Sequence, residues 1–182
     1  MKTALMDIGA FLALAGVVGL LAHVLGEALP RRAFDHEKFP YKAYAWEREG
    51  AIYNRAAIQR WKNKLPDKSR FVKSTVEKSF RGDHSADHVE RLLQETCVAE
   101  FVHWALLALS PLFLLVLSSP LGIFLTVLYG LSNIPFIMIQ RYNRPRLARM
   151  YARLVSGGQG APVKKPDAMG RGGVSHAAID TL

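Results

Sequence analysis

Three long apolar blocks constrain this chain more than anything else in it: "IGAFLALAGVVGLLAHVLGEAL" at 8–29, the run at 101–118, and "LGIFLTVLYGLSNIPFIMI" at 121–139. Each approaches the roughly 20 apolar residues with which a helix crosses about 30 Å of hydrocarbon. Since the bilayer core offers backbone groups no water, such blocks must satisfy their N–H and C=O groups internally, as helices do. Three transmembrane helices follow.

Charge decides how those helices are arranged. Lys and Arg number 24 against 15 Asp and Glu, a net charge of +9, with 50% of residues apolar. A soluble domain so basic would suit nucleic acid, but apolar residues gathered into blocks point to basic flanks of a membrane protein instead. Lys and Arg dominate the segment 30–97, and Arg141, Arg144, Arg146, Arg149 and Arg153 crowd the end of the third block, whereas the turn "SSPLG" carries no charge. The positive-inside rule then puts that turn and the N-terminus outside, and the C-terminus in the cytoplasm. Arg31 and Arg32 follow the first block at once with no small-x-small site, so it reads as a retained anchor, not a cleaved signal.

The sequence shows no internal repeat and reads as one helical membrane domain, 1–155, followed by a Gly-rich tail, 156–182. That tail has too few large apolar residues to offset the entropy of ordering and is expected to be disordered. In 41–65, Ala51, Ile58, Trp61 and Leu65 recur on one helical face, predicting a cytoplasmic amphipathic helix in the headgroup region or packed on a partner. Residues 66–83 read as a charged loop, with Asp83 or Ser85 capping a helix that runs unbroken into the second span. The fold class is therefore an all-α membrane protein: three spans, an interfacial helix and a disordered tail.

Polar residues inside the spans are the candidates for chemistry. In "ETCVAEFVHW", Glu100 and His103 share one helical stripe with Thr96, while Glu95 lies to the side. In the third span Thr126, Tyr129, Asn133 and Gln140 align and end at Arg141, and Pro135 removes a backbone donor. Spans two and three can thus line a polar cleft at the cytoplasmic interface. Asp7, His23 and Glu27 lie near the ends of the first span and are expected to snorkel. Cys97, the single cysteine, reads as a small apolar residue.

Three chemistries fit. The polar groups can be hydrogen-bond partners that hold a bundle together, as in a membrane assembly or scaffold protein. Glu100 and His103 also have the i, i+3 spacing of di-iron ligands, and His84 and His88 are an i, i+4 pair, which would suit a metal-dependent membrane oxidoreductase. No second Glu-x-x-His appears, and His84 lies about 28 Å of helix from His103. The third is acyl transfer without metal or cofactor: His103, oriented by Glu100, takes a hydroxyl proton, and Asn133 or Gln140 donates to the oxyanion. Arg141, Arg144 and Arg146 would hold a phosphate or carboxylate. On that reading Glu100→Gln and His103→Ala each abolish turnover and leave folding intact.

"WEREGAIYN" with "RWKNKLPD", "ETCVAEFVHW" and "NIPFIMIQRYNRPRL" together resemble the small bacterial membrane acyltransferases that act on glycosyl-4,4'-diaponeurosporenoate, over about 41–150. The resemblance implies esterification of a sugar hydroxyl on a glycosylated carotenoid acid by a fatty acyl group in the bacterial cell membrane. Its implied partners are a glycosylated lipid acceptor, a fatty acyl donor, whether on coenzyme A, acyl carrier protein or a phospholipid, and the bilayer. The matched positions are Glu47, Gly50, Asn54, Trp61, Lys62, Glu95, Glu100, His103, Trp104, Asn133, Gln140, Arg141, Asn143, Arg144 and Arg146. The long Gly-rich tail and the Ala- and Leu-rich first span depart from the family's shorter staphylococcal form and leave room for a related glycolipid as acceptor.

Overall fold

A computed structural model describes residues 2–62 and 86–158, whose regular elements are all helices, with no strand among them. Helix α1 (Lys2–Ala28) is followed by 3-10 turns at Arg31–Ala33 and Ala45–Ala56 and by the short α2 (Ile58–Trp61). Helix α3 (Ala86–Leu109) continues as a 3-10 segment, Ser110–Leu115, and after a turn come α4 (Pro120–Ser132) and α5 (Ile134–Gly158). The predicted loop 66–83, its caps and the tail beyond 158 lie outside the described residues; 156–158, assigned to the tail from sequence, still belong to α5.

Three helices are long and apolar enough to cross a membrane: Thr3–Ala28, Ala86–Leu115 and Pro120–Gly157. The third has 38 residues, about 57 Å of helix at 1.5 Å per residue. That exceeds a hydrocarbon core of about 30 Å, so its basic end projects beyond the bilayer.

Local sequence explains the breaks. Pro111 has no N–H to continue the α3 ladder, and the chain tightens into 3-10 geometry from Ser110 onward. A Cβ on Gly130 would stand 2.6 Å from Ser110 Oγ, so glycine there lets α4 approach that segment. Ser119 caps α4 by accepting from the Gly122 N–H at 2.9 Å and donates to Asp7 Oδ2 at 2.6 Å. Asp7 therefore does not simply snorkel: it ties the start of α1 to the turn between the other spans. Phe11 meets Phe113 and Tyr129 edge-on at 6.3 and 6.1 Å, fastening the middle of α1 to its neighbours.

The other end of α1 is fastened by charge. Arg31 donates to the carbonyls of Gly26 and Leu29 at 2.6 and 2.7 Å, occupying acceptors that a helix C-terminus leaves open. Its Nε pairs with Glu95 on α3 at 2.9 Å.

One expectation needs correction. The segment 41–65 is not one amphipathic helix: its 3-10 stretch is broken by three successive left-handed residues, Arg48 (φ 48°), Glu49 (φ 54°) and Gly50 (φ 84°), and Ala57 (φ 50°) breaks it again before α2. Left-handed backbone is costly for residues with a Cβ and persists only where packing dictates it. Tyr53 and Ile58 supply that packing by burying against Ile139 and Tyr142 of α5; Leu65 lies outside the described residues. Helix α5 itself runs on through Pro145 to Gly158. Pro145 cannot bond the Arg141 carbonyl one turn back, and at that place Gly50 packs in, its absent Cβ 3.3 Å from Tyr142 O and 3.5 Å from Arg141 O.

Candidate functional site

Helices α3 and α5 pack along one another and share most of the site. Glu100 faces inward from α3 with 1% of its surface exposed. Its Oε1 accepts from Arg141 Nη1 at 2.6 Å and from the Trp104 indole N–H at 3.3 Å. Its Oε2 lies 2.6 Å from Arg144 Nη2, a close ion pair out of hydrogen-bonding alignment. Both arginines come from α5, three residues apart, so one carboxylate on α3 clamps successive positions of the facing helix.

Arg141 also reaches into the segment before α2. It donates from Nε and Nη2 to the two oxygens of Glu47 at 2.5 and 3.0 Å, the bidentate arrangement that a planar guanidinium favours. Glu47 accepts in addition from the Tyr53 hydroxyl at 2.5 Å and the Tyr44 N–H at 2.8 Å. Burial pushes the Glu47 carboxyl up, but the bonds from Arg141, Tyr53 and the Tyr44 N–H outweigh it and hold the group below the ordinary glutamate range. Burial and the same bond to Glu47 raise the Tyr53 phenol. Thus Glu47, Arg141, Glu100 and Arg144 form a buried chain of alternating charge. Arg144 completes it with donations to Thr96 Oγ and the Thr96 and Tyr41 carbonyls at 3.0, 3.0 and 2.7 Å. The two arginines are occupied within the protein.

His103, one turn along α3 from Glu100, is half-buried and stacks on Phe136 with ring centroids 4.6 Å apart. Its Nδ1 lies 2.9 Å from Asn133 Oδ1. Asn133 occupies the joint between α4 and α5, where its amide nitrogen donates to the Tyr129 and Gly130 carbonyls at 2.9 and 3.4 Å. With both amide hydrogens directed at backbone, Asn133 turns its oxygen to His103. The shared hydrogen then sits on Nδ1.

The remaining predicted positions separate into two groups. Gln140 is buried on α5, about one turn before Arg144. Asn143 and Arg146 lie further along: Asn143 Oδ1 accepts from Lys62 Nζ at 3.5 Å, and the Arg146 guanidinium stands 3.5 Å over the Tyr142 ring. By contrast Asn54 is exposed and accepts from Gln59 at 3.3 Å, and Glu95 is paired with Arg31; neither joins the central cluster. Among the described residues no three His, Cys, Asp or Glu converge as a metal site; His84 lies outside them. Sequence reasoning gave Tyr53 and Thr96 no role, although each directly contacts a charged member of the cluster.

The chain is thus a multi-span helical membrane protein with a dense, internally paired set of polar groups where two spans meet their flanking segment. It belongs to the glycosyl-4,4'-diaponeurosporenoate acyltransferase family, whose profile matches residues 34–153. That stretch includes Glu47, Glu100, His103, Asn133, Arg141 and Arg144 and omits α1. Two proteins called glycosyl-4,4'-diaponeurosporenoate acyltransferase, from Staphylococcus aureus strains N315 and bovine RF122 / ET3-1, are each 27% identical over 128 residues, 69% of this chain and 76% of theirs. No solved structure matches. The protein is an acyltransferase of the membrane.

Proposed function

We propose that this acyltransferase esterifies a sugar hydroxyl of a glycosylated carotenoid acid, or a closely related glycolipid, with a fatty acyl chain at the cytoplasmic face of the membrane. Family membership supports the acceptor class, since the matched relatives carry glycosyl-4,4'-diaponeurosporenoate in their names. The basic flanks of spans one and three support the cytoplasmic face.

One observation carries the mechanism: the 2.9 Å contact between His103 Nδ1 and Asn133 Oδ1. It fixes the imidazole's orientation and tautomer, as a third group does in nucleophile–histidine arrangements on unrelated folds. His103 Nε2 removes the hydroxyl proton as the sugar oxygen attacks the acyl carbonyl. Asn133, expected from sequence to donate to the oxyanion, instead acts as a positioning residue, which leaves Gln140 as the amide for that role. Glu100 does not itself orient the base in this reading. Its carboxylate holds Arg141 and Arg144, and so holds α3 against α5 at the height where His103 meets Asn133.

The experiment is mass spectrometry of lipids from cells that make a glucosylated C30 carotenoid acid, with and without the protein and with His103→Ala. A gain of one acyl chain, absent in the variant, is the expected result. No gain with the protein present in the membrane would refute the acceptor, and an undiminished gain in His103→Ala would refute the base.

A further inference from the structure

We infer that the segment between α1 and α2 is seated in the bilayer, with Phe39 and Trp46 inserted at the boundary between headgroups and acyl chains on the side where the arginines of α5 emerge. The partner is a lipid surface, met by a part of the chain outside the three spans. The inference stands apart from the acyl-transfer reading.

Exposure is the starting point. Among the described residues, the exposed large apolar side chains lie on the three long helices or at Val116 in the turn between the last two, with two exceptions: Phe39, 80% exposed, and Trp46, 60% exposed. Large apolar rings left in water forgo the gain from burial. Tryptophan, apolar in body and polar at its N–H, favours a membrane interface.

Neither ring hangs on a loose loop. Arg141 donates to the Pro40 and Lys42 carbonyls at 3.3 and 3.4 Å, which fixes the backbone just after Phe39. Trp46 stacks on Tyr44 with ring centroids 6.2 Å apart, and the Arg141 guanidinium lies 4.8 Å from the centre of the Tyr44 ring. Glu47, the next residue, is held by both oxygens on the same arginine. One cation thus holds both rings outward.

The same contacts set the level in the membrane. Arg141 also binds Glu100, which accepts from the Trp104 indole. Phe34, at the start of the segment, meets Phe101 edge-on with centroids 5.8 Å apart. Phe101 and Trp104 are 45% and 50% exposed on the second span. Its apolar run begins at 101, so these two rings mark the edge of the hydrocarbon. A segment packed against them lies at that edge, and its exposed rings continue the lipid-facing surface of the span.

Charge is not what seats it. Lys38 pairs with Asp35 at 3.1 Å and Glu49 with Arg149 at 2.6 Å, and the exposed Glu37, Lys42 and Arg48 are of both signs. Apolar contact favours a bilayer over an acidic or basic soluble partner. Trp61, which sequence periodicity placed on the apolar face, is turned elsewhere: its N–H bonds the Ala56 carbonyl at 2.8 Å and its ring packs on the cluster of Tyr53, Ile58, Ile139 and Tyr142.

The test is quenching of tryptophan fluorescence in the full-length protein in phosphatidylcholine vesicles. Trp61→Phe with Trp104→Phe leaves Trp46 as the sole tryptophan, and Trp46→Phe with Trp61→Phe leaves Trp104 as the lipid-exposed reference. Lipids carrying a nitroxide near the head of the acyl chain should remove most of the Trp46 emission, as they do for Trp104. Iodide in the water should remove little. If either double variant fails to fold, Phe39→Cys can carry a nitroxide label, since Cys97 is buried and leaves the native background unlabelled. That label should collide more with dissolved oxygen than with a water-soluble nickel chelate. Quenching of Trp46 by iodide and not by lipid would overturn the inference, as would a position-39 label that meets the chelate more than oxygen. Shielding of Trp46 from both quenchers would overturn it in favour of contact with another protein chain.

Discussion

Arg141 Nη1 and Glu100 Oε1 lie 2.6 Å apart with only 9% and 1% of the two side chains exposed, and Arg144 closes on the other Glu100 oxygen. Removing one partner of a buried ion pair costs about 3–5 kcal/mol, chiefly because the remaining charge is left uncompensated. Here Glu100→Gln would weaken the compensation of two guanidinium groups at once. We therefore expect Glu100→Gln to lower the unfolding temperature in detergent markedly, contrary to the sequence-based expectation that it would affect turnover alone. An unchanged unfolding temperature with lost turnover would restore Glu100 to a direct part in the chemistry.

Asn133→Ala separates positioning from binding. If Asn133 only orients His103, its loss should lower kcat by about 10²–10⁴, the usual contribution of general acid–base catalysis, and leave KM near the wild-type value. His103→Ala should lower kcat comparably, and the double variant little further, because two residues that act as a unit are not additive. Steady-state kinetics in nanodiscs checks this; additive losses would mean that Asn133 acts on something other than the imidazole.

The limits of sequence reading are visible in these same residues. Apolar block length gave three spans, and helical periodicity put Thr96, Glu100 and His103 on one face, all of which the structure retains. Periodicity describes the faces of one helix and says nothing about which face of another it meets. The His103–Asn133 contact spans 30 positions, Arg141–Glu100 41 and Arg141–Glu47 94, and none has a local signature. Arg144 could not be told apart from an arginine awaiting a ligand, since its partners include the Thr96 and Tyr41 carbonyls. Glu47 enters the cluster through a left-handed turn, and only Gly50 among its residues signals such a backbone.

Gly50 gives a stability prediction. At φ 84°, with Tyr142 O 3.3 Å from a would-be Cβ, Gly50→Ala meets both backbone strain and a close carbonyl. The left-handed conformation alone costs a residue with a Cβ about 1–2 kcal/mol, so the segment carrying Glu47 should detach from α5 more readily. Limited proteolysis between residues 34 and 62 should speed up in Gly50→Ala. Gly157→Ala, whose Cβ would meet nothing within 4 Å, should match the wild type; equal rates in the two variants would show that Gly50 is not needed for docking.

Docking of that segment should also have a defined pH range. Glu47 has a folded acidity below its ordinary value, so its contribution is complete above the unfolded glutamate range, about 4.3, and declines as pH falls through the depressed folded value. Tyr53 is shifted upward, so its contribution is complete below the unfolded phenol value, about 10, and is lost as pH rises through the raised folded value. Fluorescence from Trp46, which stacks on Tyr44 three residues before Glu47, should therefore stay flat across the neutral range and change at both extremes. Tyr53→Phe should abolish the alkaline change. It should also bring the acid change to higher pH, since Glu47 loses one of the bonds that keep it ionised. A transition centred near neutrality, unaffected by Tyr53→Phe, would assign control of docking to a different group.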